Sequence, residues 1–152
     1  MVYPQFCHRV ILNGNVLTEK RINWLKPVLN FKSYKKCGGI ERMKIVNSVE
    51  IDLLVIKSEL ALYDHLHAEL GFPSFFGNNP NALIDCLFSL RFPSDQMTKY
   101  QLKDDEYIVF ILENSHSSDL IIINFLFNVL ATVSLKLQQK SKNSAVMVLF
   151  HS

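Results

Sequence analysis

The sequence predicts an α/β fold: a small three-stranded parallel sheet packed by helices, preceded by an N-terminal extension that can hold a β-hairpin. Three observations predict it. Residues 107–112 (Tyr-Ile-Val-Phe-Ile-Leu) and 145–150 (Ala-Val-Met-Val-Leu-Phe) are continuous apolar runs of strand length. Residues 49–56 alternate in polarity and then turn fully apolar, as a strand entering a covered sheet does. Between these runs lie segments with helical spacing, giving the order strand, helix, helix, strand, helix, strand. Continuous apolar strands separated by helices imply a parallel sheet covered on its faces.

The N-terminal stretch comes first. Two short apolar runs flank Asn13-Gly14, a dipeptide suited to the positive φ angles of a two-residue hairpin turn. Residues 22–31 fit a short helix with Trp24, Leu25, Val28 and Leu29 on one side, its start limited by Pro27. Residues 33–39 read as a loop or linker ending in Gly38-Gly39. Met43 follows directly, so an alternative reading starts the protein there. Residues 1–44 are therefore expected to form a basic N-terminal extension and residues 45–152 the domain proper.

After the first strand of that domain, Ser58 can cap a helix whose first turn holds Glu59, where the helix dipole favours an acid. Leu62, Tyr63, Leu66 and Leu70 recur at helical spacing. Gly71 supplies the left-handed cap and Pro73 stops continuation. A second helix has Asn79 as N-cap and Pro80 at its first position, with Leu83, Leu87 and Leu90 on its buried side. The run 120–135 carries no charge and is followed by Lys136, Lys140 and Lys142, which imitates a membrane span. Its 16 residues fall short of the roughly 20 that a bilayer requires. Asn124, Asn128, Thr132, Lys136 and Lys140, each four apart, make one polar stripe. The run is expected to be a core helix or helix pair, with no membrane contact.

Composition narrows the function. The chain has 152 residues, 49% apolar and 20% charged, which excludes wholesale disorder. No secretory signal is apparent at the start. Three widely spaced cysteines, Cys7, Cys37 and Cys86, make neither a metal spacing nor a disulfide framework, so a reducing, cytoplasmic setting is expected. Charge is divided: residues 1–44 carry a net of +7 and residues 45–152 a net of −5, with all twelve acids of the latter between Glu50 and Asp119. An acidic body lacks the Lys and Arg that phosphates need, so direct nucleic-acid binding is not expected and a basic protein partner is.

The most informative stretch runs from Glu69 to Leu87: Glu-Leu-Gly-Phe-Pro-Ser-Phe-Phe-Gly-Asn-Asn-Pro-Asn-Ala-Leu-Ile-Asp-Cys-Leu. It resembles the barstar family of ribonuclease inhibitors, whose pattern is a helix end, a proline, two aromatics, a glycine, an acid or asparagine, an asparagine and then a helix with Ala-Leu, Asp-Cys-Leu. Pro73, Phe75, Phe76, Gly77, Asn79, Ala82, Leu83, Asp85, Cys86 and Leu87 match. The resemblance covers roughly residues 45–152. It implies an inhibitor, with no cofactor and no metal, that occludes the active site of a cognate basic ribonuclease toxin in a bacterial cytoplasm as an immunity protein. It places partner contacts on Phe75, Phe76, Gly77, Asn78, Asn81, Ile84, Asp85 and Phe88. Asp85 matches the central inhibitory acid. Asn81, Ile84 and the region of Gln138 depart from the family: an acid, a Trp and a further acid are absent there. The alternative is a binding module for a non-ribonuclease partner using the same loop and helix.

The same residues have plainer readings. Asp85 alone would be a solvated helix carboxylate. One of Phe75 and Phe76 is expected to face the core, and Gly77 to serve a positive φ. Cys86 beside Leu87 is expected to be a buried small hydrophobe, which argues against a thiol enzyme. His65 and His67 are two apart on a helix and cannot share a face as metal ligands. His116 is expected at a solvated surface.

Overall fold

The computed structural model describes the backbone of residues 8–12 and 15–19 and, in full, residues 43–114 and 120–151. Its elements are β1 (His8–Leu12), β2 (Asn15–Glu19), β3 (Lys44–Asp52), α1 (Glu59–Leu70), α2 (Pro80–Ser89), β4 (Glu106–Glu113), α3 (Leu120–Gln139) and β5 (Val146–His151). The expected helix at 22–31, the loop at 33–39, Cys7, Cys37 and His116 lie outside the described residues.

The three parallel strands are the expected ones. β3 pairs in parallel with β4, and β4 with β5. The hairpin strands extend this sheet: β1 pairs antiparallel with β2 and, through Val10–Leu149 and Ile11–Val148, with β5. The full order is β2-β1-β5-β4-β3. Leu12 opposes Asn15 across the pair, and the expected Asn13-Gly14 turn lies outside the described residues.

Side chains alternate across the sheet. Val49, Ile51, Ile108, Phe110, Leu112, Val146 and Val148 form one core with the buried sides of α1, α2 and α3. Val109, Ile111, Met147 and Leu149 form a second, smaller cluster with Met43, Ile45 and Tyr107. Both faces of the parallel strands are buried, as expected, and all three described α-helices cover the first of them. The chain steps from β3 to β4 to β5 in one direction, and right-handed crossovers that step the same way fall on the same side.

Cap chemistry sets the helix ends. The Ser58 hydroxyl accepts from the Ala61 N–H at 3.2 Å, and Gly71 ends α1 at φ 64°, its N–H donating to the His67 carbonyl. The Asn79 side-chain oxygen accepts from the Ala82 N–H at 2.9 Å. The first strand of the domain ends earlier than its apolar run. The Asp52 carboxylate accepts from the Leu54 N–H at 2.9 Å, and the Asp52 carbonyl accepts from Val55 and Ile56. That turn breaks the strand at Asp52 and leaves Leu54 and Val55 exposed.

α3 is one helix, not a pair. At 20 residues it is long and apolar enough to cross a membrane by length and composition alone. Ile122, Leu126, Val129, Val133 and Leu137 bury one stripe of it in the core. Asn124, Asn128, Thr132 and Lys140 are exposed and Lys136 half-buried, as the polar stripe predicts.

Candidate functional site

The candidate site is an elbow, residues 71–79, that delivers the chain from α1 to α2. Gly71 and Pro73 turn it out of the first helix, and the Phe76 N–H donates to the Pro73 carbonyl at 2.9 Å. This tight turn sends the two aromatics in opposite directions. Phe76 points inward, its ring 4.8 Å from Phe72, 5.6 Å from His67 and 6.1 Å from Tyr63. Phe75 is 75% exposed. Leaving so large an apolar ring in water is unfavourable, and an ordered exposed aromatic on a pinned loop is suited to filling a partner's pocket.

The positive φ expected at Gly77 belongs instead to Asn78, at 47°. Asparagine tolerates that region because its short polar side chain can bond locally. Gly77 serves a close approach: a Cβ there would lie 2.7 Å from Asn79 Nδ2, which donates to the Gly77 carbonyl at 3.2 Å. A larger residue there would require the Asn79 amide to shift.

On α2, Leu83, Cys86 and Leu87 face the core. Asn81 and Asp85, one turn apart, are exposed. Ile84 and Phe88 are half-buried and pack against the core as well. Phe88 stacks on Phe92 at 4.6 Å. Burial pushes the Cys86 thiol up to about 12, so at neutral pH it is neither a thiolate nor a nucleophile.

Asp85 is 59% exposed, as an interface acid requires, but it is not unpaired. Lys136 of α3 donates to its Oδ1 at 2.7 Å and lies 5.2 Å from the centre of the Phe88 ring. The helical period of α3 placed Lys136 on a polar stripe; only the packing of α3 beside α2 brings it to Asp85. The elbow, α2 and α3 together hold a single carboxylate, Asp85. Gln138, where the family has a further acid, is exposed and uncharged.

The acids of the body gather elsewhere. Glu50, Asp52, Glu69 and Glu113 line an open hollow of about 430 Å³ with His65. The Asp52 carboxyl is held below its ordinary range by hydrogen bonds from the Leu54 N–H and the Asn114 amide. The His65 Nε2 lies 2.7 Å from the Glu50 carbonyl, and His67 stacks on Phe72 at 6.2 Å. Among the described residues no group of three or more His, Cys, Asp or Glu is placed to hold a metal ion.

A residue that sequence reasoning passed over holds the far end of α2. Arg91, 4% exposed, donates to the carbonyls of Asn143, Lys103 and Ser144. Its guanidinium lies over the Tyr107 ring at 5.0 Å. Five fixed donors suit a buried arginine to gathering carbonyls from separate loops. Only its place one turn beyond the buried Leu87 hinted at this.

No curated protein matches the chain. Residues 46–120 match the family model described as barstar (barnase inhibitor). The matched span runs from β3 through the elbow and α2 to the start of α3, and it supports a barstar-like family assignment.

Proposed function

We propose that this protein is an inhibitor that covers the active site of a cognate ribonuclease toxin with the elbow and the outer side of α2, protecting the cytoplasm of the cell that produces the toxin. The observation that carries the reading is Phe75, an aromatic ring left in solvent on a loop that the Phe76–Pro73 hydrogen bond and the Asn79 cap hold still. The family assignment supplies the partner class.

The physics is occlusion. A ribonuclease cleft gathers Lys, Arg and His to hold phosphates. An acid on a rigid helix aimed into such a cleft gains charge-assisted hydrogen bonds where water is excluded. Here Asp85 is that acid, Phe75 the apolar anchor, and Asn78 and Asn81 are neutral hydrogen-bonding groups. Cys86 is interior and takes no part. Nothing in this reading requires a cofactor, a metal or direct contact with RNA. A second reading, a toxin partner of another chemical class, is favoured by one observation: Asp85 already has a cation beside it.

The test is a ribonuclease assay on the toxins of the producing cell, with and without the protein. Inhibition is expected, and Phe75→Ala and Asp85→Ala should each weaken it by roughly tenfold or more, as buried anchors do. If no ribonuclease is inhibited, or if both variants inhibit as well as wild type, the reading is wrong.

A further inference from the structure

We infer that Lys136 is a specificity-determining residue of the proposed inhibitory surface, and that it fits this surface to a partner presenting a carboxylate beside the cation that meets Asp85. The inference rests on that reading of the elbow and α2.

Three observations carry it. Lys136 Nζ sits 2.7 Å from Asp85 Oδ1 and 5.2 Å from the centre of the Phe88 ring, so its position is set from two sides by α2. The elbow, α2 and α3 hold no other carboxylate that could balance it. Lys140 follows one turn later and is exposed. The outer strip therefore meets a partner as a mixed pair with a cationic flank.

Such a strip repels a densely cationic cleft in two ways. Lys136 occupies one side of the Asp85 carboxylate, so a partner arginine or lysine must displace it or share the oxygens. It also sets like charge against like charge, which is unfavourable when water is excluded. A partner with an acid beside its cation turns both penalties into complementary pairs. In that complex Asp85 keeps Lys136 as a neighbour, and Lys136 gains a second carboxylate.

Barnase, the nuclease named in the family description, is the probe. Its binding is measured calorimetrically and by stopped flow with wild type, Lys136→Ala, Lys136→Glu, Asp85→Ala and Lys136→Ala/Asp85→Ala, all checked for folding by circular dichroism. Lys136→Ala is expected to tighten barnase binding roughly tenfold and Lys136→Glu more, with a faster association rate at low salt. The gain should vanish when Asp85 is also removed. Equal binding by wild type, Lys136→Ala and Lys136→Glu, including no binding by any of them, overturns the inference. If Asp85→Ala weakens binding while the Lys136 variants change nothing, Lys136 is dismissed and the inhibitory surface survives. If barnase binds equally to every variant, Asp85→Ala included, the surface is itself misplaced and the inference falls with it.

Discussion

Phe75 and Phe76 are neighbours in the chain and opposites in the fold, and Asp85 and Cys86 repeat the contrast one helix later. Phe76 and Cys86 belong to the region that makes the domain; Phe75 and Asp85 belong to the region that it displays. The inner region is held by packing and satisfied hydrogen bonds, with no buried side-chain polar atom lacking a partner among the described residues. The outer region is solvent-exposed, with Asp85 paired to Lys136. The proposed binding surface is not a separate module. It is the other side of core residues, aimed by them, and the two sides should separate cleanly under mutation.

The largest effect is expected on the inner side. Arg91→Ala removes donors from three carbonyls around a buried site, and unsatisfied buried groups cost roughly 1–3 kcal/mol each, so a loss of about 3 kcal/mol or more is expected by urea unfolding. Phe76→Ala should cost about 2–3 kcal/mol, below the range for fully buried phenylalanine because the ring is only partly buried. Phe75→Ala should change stability by less than about 0.5 kcal/mol while weakening target binding. Equal stability costs for the two phenylalanines would erase the contrast. Asn79→Ala lies on the boundary: losing the cap should cost about 1 kcal/mol and loosen the elbow, so both stability and binding should fall.

The smallest effect is a pH dependence remote from the surface. Lys44 and the Lys103 N–H bond to the Glu106 carboxylate and hold its pKa below the ordinary value. A carboxyl depressed in the folded state adds stability that is full above its unfolded value and is lost as pH falls through its lower folded value. Thermal unfolding of wild type should therefore weaken with acid through that window, and Glu106→Gln should flatten the slope. Binding measured near neutrality should not notice the change. If it does, the base of β4 and the outer side of α2 are coupled.

Much of the site was legible as one-dimensional chemistry. Ser58, Gly71, Asn79 and Pro80 mark their helix ends because capping acts over three or four residues. The split between Phe75 and Phe76 was expected, though which ring turns inward depends on Phe72, Tyr63 and His67 meeting Phe76. The positive φ was misplaced by one residue because Asn78 and Gly77 both tolerate tight turns. The strand end at Asp52 was missed because an apolar run continues past the point where the carboxylate captures the Leu54 N–H.

By itself, the sequence determined the order of strands and helices, the helix boundaries around the elbow, the buried stripe of α3 and the exposure of Asp85. Each follows from periodicity or from a cap, and these are local. Tertiary structure alone decided that three helices share one sheet face, that Arg91 gathers three carbonyls, and that Lys136 stands beside Asp85. Those pairings join residues about 50 positions apart in the case of Lys136 and Asp85, and Coulomb's law acts on distance in space, which a pattern along the chain does not encode.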